Sequence, residues 1–153
     1  MLKTCFLAHN GARTEGVFRL APDKQEYIAV KRSIDDGTFK DCSDVHIMAN
    51  LIKVWFRELP VSLFNMLPEN QIARTCELVD PEPKVVLESL AALPALHQTV
   101  TFWLLDLLNE IVKYERENKM TAKSMAIVMA PNLLSVKNTD AAVAVAVYRQ
   151  VAD

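Results

Sequence analysis

Ser43-Asp44-Val45-His46-Ile47-Met48-Ala49-Asn50-Leu51-Ile52-Lys53-Val54-Trp55-Phe56-Arg57-Glu58-Leu59-Pro60 reads as one amphipathic helix. Ser43 or Asp44 offers a short side-chain oxygen to the free amides of a first turn, which makes either a good N-cap. Val45, Met48, Leu51, Ile52, Trp55, Phe56 and Leu59 fall on one side at helical spacing, and Pro60 stops the run. His46, Asn50, Lys53 and Arg57 project within a wedge of about 60° on the opposite side. Lys53 and Arg57 are four apart, so two like charges are neighbours and repel by roughly 0.2–0.5 kcal/mol. The wedge is either a solvated polar face, with Glu58 or Asp44 as internal partners, or a recognition face for an anionic or polar ligand.

Helical spacing continues on both sides. Leu2 to His9 is a short amphipathic piece ended by Asn10-Gly11, and a polar loop from Ala12 to Gly16 leads into Val17-Phe18-Arg19-Leu20. Pro22-Asp23 opens a helix carrying Tyr27, Ile28, Val30 and Ile34, closed by Asp36-Gly37. Further helices are predicted from Glu69 to about Val79, from Lys84 to Leu93, and from Pro94 to about Tyr114 through Leu96, Val100, Trp103, Leu104, Leu107, Leu108 and Ile111. Thr121 caps another, Ala122 to Met129, with Pro131 as its terminator. Thr139-Asp140 caps a last one, Ala141 to Ala152, where the alternation of Val143, Val145 and Val147 competes as a strand pattern. The expectation is an all-α, single-domain helical bundle of about seven to eight helices.

Composition narrows the function. The chain has 153 residues, 51% of them apolar, which is enough for one real core and too many for a disordered chain. A net charge of −2 gives no bulk reason to bind nucleic acid or an anionic membrane. The most apolar stretch, Val100–Val112, is broken by Asp106, Asn109 and Glu110, so no membrane span is expected. The start of the chain has too short an apolar piece for a signal peptide. Cys5, Cys42 and Cys76 read as free thiols of a reducing, cytoplasmic setting. His9, His46 and His97 are scattered, with no zinc spacing, and three glycines build no phosphate cradle. No nucleophile elbow is present, so neither a metal nor a cofactor of its own is expected, and the chain is not read as an enzyme by itself.

Three blocks change the balance. Thr14-Glu15-Gly16-Val17-Phe18-Arg19, then Asp44-Val45-His46 with Leu51 to Pro60, then Asn118-Lys119-Met120-Thr121 with Ala126-Ile127-Val128-Met129-Ala130-Pro131-Asn132-Leu133-Leu134 resemble, in order, the motifs of Rho GTPase-activating (RhoGAP) domains. Taken alone, Arg19 reads as a surface or salt-bridge arginine, and Asn132 as an amide satisfying loop backbone just past a helix end. The resemblance implies a RhoGAP-type bundle over residues 1–153, with outer helices trimmed at one or both ends. Arg19 would be an arginine finger completing the active site of a GTP-bound small GTPase. Arg57 would hold the finger loop, Lys53 would contact the partner or that loop, and Asn132 would bond the partner's switch backbone. Lys119 and Met120 would lie at the edge, with core packing as the ordinary alternative for the methionine. GTP and Mg²⁺ would belong to the partner, a Rho, Rac or Cdc42-like protein, and the chain would act as a monomer. Two departures stand out: Pro22 stiffens the segment after Arg19, and Ala130 stands where the family often has glycine. The rival readings are a RhoGAP-like module that binds GTP-loaded partners without catalysis, an unrelated helical scaffold, and a self-contained hydrolase.

Overall fold

The computed structural model describes residues 1–68, 70 and 83–135. Over that range the chain is all-helical: α1 (Leu2–Ala8), α2 (Lys24–Asp35), α3 (Val45–Arg57), α4 (Pro83–Ala91), α5 (Ala95–Val112), α6 (Glu115–Asn118) and α7 (Ala122–Leu133), with 3₁₀ turns at Gly11–Arg13 and Leu63–Met66. The helices expected over 69–79 and 141–152, and Cys76, lie outside the described residues.

Three caps are the ones legible in sequence. The Asp23 carboxylate accepts from the amides of Gln25 and Glu26, Asp44 from His46 and Ile47, and the Thr121 hydroxyl from Ser124. Each satisfies amides that have no intrahelical acceptor, a contribution of about 1 kcal/mol per cap.

The α3 helix is the centre of the bundle, packed by α1, α2 and α7. Ile47, Met48 and Phe56 are fully buried with Leu104, Leu107 and Ile111 of α5 and Met125 and Met129 of α7. Each such side chain contributes about 1.5–3 kcal/mol by leaving water. The buried face of α3 is wider than the sequence stripe, since Ile47 and Val54 are also buried, while Trp55 is half exposed. Trp55 stands edge-on to Phe56 at 4.9 Å, so its ring covers the rim and not the core. Ile28 and Leu96 are exposed as well, and Trp103 partly so: α2 buries no side chain fully, and Leu96 lies in the first turn of α5, before the buried stretch begins at Thr101.

Pro131 does not end α7. The helix runs through it to Leu133. A proline inside a helix removes one backbone donor and crowds the carbonyl four residues back. Here that loss falls in the last turn, and the Leu134 amide still bonds the Ala130 carbonyl at 3.2 Å, closing the helix beyond the proline. Asn132 is therefore a helical residue and not a loop residue.

Candidate functional site

The loop from Gly11 to Leu20 is fixed by its backbone. Phe6, on α1, packs edge-on against Phe18 at 5.9 Å, and both rings are fully buried with Val17. Gly11 gives the Phe6 ring its room: a Cβ there would meet Cε2 at 2.5 Å. Gly16 has φ +66°, and its amide donates to the Asn118 carbonyl at 2.8 Å, while its own carbonyl accepts from Arg19 and Leu20. Phe18 has φ +67°, a left-handed conformation that costs a bulky side chain about 1–3 kcal/mol and survives only where the surroundings over-determine it. Here the constraints are the buried ring on one side and Lys53 on the other, whose Nζ donates to the Phe18 carbonyl at 2.6 Å.

Those constraints turn the next side chain outward. Arg19 is exposed, and its side chain has no hydrogen-bond or ion-pair partner among the described residues. A guanidinium carries five donors in a planar fork, so an unpaired one on a rigid loop is available to an external anion.

The polar wedge of α3 lies beside this loop. Lys53 is half-buried, and burial first, then the neighbouring Arg57 charge, pushes its ammonium below the usual lysine value. The like-charge proximity expected from their spacing is thus present. Neither internal partner envisaged for the wedge takes the role: Asp44 caps α3, and Glu58 pairs with Lys31 at 3.4 Å. It is Lys53, not Arg57, that grips the loop backbone. Arg57 is exposed and faces a polar cleft of about 390 Å³ that it shares with Asn132, Asn65 and Ser135. The Asn132 amide nitrogen donates back to the Val128 carbonyl at 3.0 Å, leaving its oxygen without a described donor. Asn65 and Ser135 clasp each other through two bonds of 2.7 and 2.8 Å, joining the second 3₁₀ turn to the segment after α7. The structure therefore brings Arg19, Lys53 and Arg57 into succession, and Arg57 and Asn132 into one cleft.

The two weaker candidates separate. Lys119 is exposed at the left-handed end of α6, φ +61°, with its ammonium on the Arg116 carbonyl at 2.7 Å. Met120 is fully buried, so its side chain belongs to the core and not to an exposed edge; core packing is the reading the fold adopts.

Sequence reading gave no role to the neighbour of both. Asn118 is fully buried, and its amide nitrogen donates to the Ala12 and Ile111 carbonyls, both at 2.7 Å. Its side-chain oxygen accepts from the Met120 amide at 2.7 Å, and its backbone carbonyl from Gly16. One residue thus fastens the Arg19 loop at Ala12 and at Gly16 to the end of α5 and the turn before α7. The signal available is its place at the head of the third motif block, Asn118-Lys119-Met120-Thr121, which by itself assigns it no role.

A profile of the RhoGAP domain matches residues 3–138. The chain is 33% identical over 133 residues to Rho GTPase-activating protein 1 of Arabidopsis thaliana, a match covering 87% of this chain and 28% of that protein. It is 31% identical over 140 residues to Rho GTPase-activating protein gacA of Dictyostelium discoideum, covering 92% and 40% respectively. The chain thus spans less than half the length of either relative. Among solved structures, its fold is similar to that of human Rho GTPase activating protein 15, with a TM-score of 0.77 at 22% identity, over 99% of this chain and 76% of that one. It is equally similar, at TM-score 0.77 and 17% identity, to the BH domain of GRAF, the GTPase regulator associated with focal adhesion kinase, over 98% of this chain and 84% of that one.

Proposed function

The chain belongs to the RhoGAP domain family, and we propose that it stimulates GTP hydrolysis by a Rho-family small GTPase, lending it the Arg19 guanidinium. The observation that carries this reading is an exposed arginine, its side chain unpaired among the described residues, on a loop whose backbone is held at Gly16 and Phe18.

Phosphoryl transfer in small GTPases is slow because charge developing on the γ-phosphoryl oxygens lacks a cation. An arginine supplied in trans is worth roughly 10³–10⁵ in rate, or about 4–7 kcal/mol at 1.36 kcal/mol per tenfold. A preorganised donor supplies this without reorganising during the reaction. The Gly16 and Phe18 backbone bonds serve that end, since a loop that must be ordered on binding wastes part of the gain. GTP and Mg²⁺ come with the partner, and this chain contributes no nucleotide site.

In the same reading, Lys53 positions the finger through the Phe18 carbonyl. Arg57 and the free amide oxygen of Asn132 contact the partner's switch backbone from the shared cleft, with Lys119 at the margin. The domain acts as a monomer in the cytoplasm, and membrane recruitment follows the partner.

The test is single-turnover GTP hydrolysis by a panel of GTP-loaded Rho, Rac and Cdc42-like GTPases, with this chain in excess. Stimulation of at least one is expected, and its loss in Arg19→Ala with binding retained within a few-fold. Equal stimulation by the variant would sink the finger assignment. Binding without stimulation by the unmodified chain would mark it as a non-catalytic partner.

A further inference from the structure

Cys5 and His9 stand one helical turn apart on α1 and its C-cap, and Asp41 comes from the segment that leads into α3. The three are brought together by the fold. The His9 Nε2 lies 2.9 Å from one Asp41 carboxylate oxygen and 3.0 Å from the other, and the Cys5 thiol donates to the first of these at 2.8 Å. The thiol, imidazole and carboxylate donor atoms all lie within 4.8 Å of one another. None of the three residues has a role in the GTPase-activating reading.

We propose that Cys5, His9 and Asp41 form a binding site for Zn²⁺, three protein ligands with water completing a tetrahedron.

The donor set decides the ion. Sulfur and imidazole suit a borderline-soft cation and disfavour Mg²⁺ and Ca²⁺, which take oxygen shells. Two ligands of one tetrahedral zinc stand about 3.3–3.5 Å apart for a nitrogen and an oxygen and about 3.6 Å apart for a sulfur and an oxygen at the usual bond lengths. The present separations of 2.9 Å from His9 to Asp41 and 2.8 Å from Cys5 to Asp41 need to open by about 0.5 and about 0.8 Å. A thiolate, a carboxylate and a neutral imidazole also match the ion in charge, leaving a neutral site. Without metal, burial and the Asp41 hydrogen bond push the Cys5 thiol up, so it keeps its proton. On binding, the S–H bond breaks, the proton passes to solvent, and the sulfur electron pair forms the zinc–sulfur bond, with no change of oxidation state. Asp41 is already held below its usual carboxylate range by the Cys5 and His9 hydrogen bonds, and the backbone at Cys42 adds to this. The Asp41 side chain is 60% exposed, so both the ion and its water have access.

The expectation that no metal ligands are present rested on linear spacing. The third ligand lies 32 residues from His9 and no spacing motif reports it. Bound zinc would tie the end of α1 to the approach to α3. Phe6 lies between the two ligands of α1, and its ring supports Phe18.

The test uses the full chain, reduced and stripped with chelator, titrated with Zn²⁺ and with Co²⁺. One equivalent is expected to bind saturably. Cobalt should give a thiolate-to-metal charge-transfer band with tetrahedral d–d absorption, and zinc should raise the melting temperature. Cys5→Ser should abolish the charge-transfer band, and His9→Ala and Asp41→Asn should each weaken zinc binding by at least about tenfold. Cys42→Ser should leave binding unchanged. Circular dichroism of each variant checks that it is folded. Absence of saturable uptake, survival of the charge-transfer band in Cys5→Ser, or equal affinity in Asp41→Asn would each overturn the site.

Discussion

Arg13 and Arg19 lie in one loop and have opposite fates. Arg13, on the first 3₁₀ turn, places its guanidinium 4.1 Å over the Tyr114 ring and bonds both carboxylate oxygens of Glu117, at 2.9 and 3.1 Å. Arg19 follows a residue forced into a left-handed conformation and meets no described partner. The first is consumed by the fold, in fastening the loop to α6. The second is left over by it. The same side chain is structural where α6 supplies an acid and its N-cap Tyr114 a ring, and available where the backbone turns it away from any described acid. What distinguishes them is the clamp between them: Gly16 on Asn118, and Phe18 on Lys53.

The contrast can be broken most severely at Arg19. Arg19→Ala is expected to lower stimulated single-turnover hydrolysis by roughly 10³–10⁵, with the melting temperature nearly unchanged because no side-chain hydrogen bond or ion pair among the described residues is lost. A large drop in melting temperature would show that Arg19 also belongs to the fold. Asn118→Ala comes next. It leaves the Ala12 carbonyl and the Met120 amide without their partner and takes one of two donors from the Ile111 carbonyl, which keeps the Tyr114 amide; at about 1–3 kcal/mol for each group that finds no substitute, denaturant unfolding should show a loss of about 2–4 kcal/mol in total. A loss near zero would mean that the loop is held elsewhere.

Lys53→Met sharpens the comparison further, because it keeps the half-buried stem and removes only the ammonium on Phe18. Stimulation should fall by about ten- to a hundredfold, as expected of a displaced catalytic group, with affinity for the GTP-loaded partner changed less than the rate. An affinity loss equal to the rate loss would make Lys53 a contact residue and not a positioning one. Arg13→Ala should do least. Its pair and stacking are exposed, so a small drop in melting temperature and near-normal stimulation are expected; a loss comparable to that of Arg19→Ala would exchange the two roles.

The elements of the bundle were legible where local chemistry acts alone. Asp23, Asp44 and Thr121 cap the helices they were expected to cap, and the apolar repeat of α3 and α5 marks the core. Local rules failed where a neighbour decides. Pro131 reads as a stop, yet its lost donor falls in the last turn of α7, where the helix can close beyond it. Trp55 and Leu96 fit an apolar stripe by spacing but overhang its rim. The three motif blocks carried the resemblance and, with it, Arg19, Lys53, Arg57 and Asn132. They gave the grip on the loop to Arg57, where the structure has Lys53 on the Phe18 carbonyl, and they put Met120 at the edge, where its ordinary alternative, core packing, is the one the fold adopts.

By itself, then, the sequence determined the helical class, the helix starts and the face of α3 that enters the core, because those depend on groups within one or two turns of each other. The tertiary structure alone decided which arginine is spent and which is free, that Asn118 fastens the loop, and that Cys5, His9 and Asp41 meet. Each of those depends on partners between 32 and 106 residues apart, and a pairing across that distance is set by how the helices pack, which no local spacing encodes.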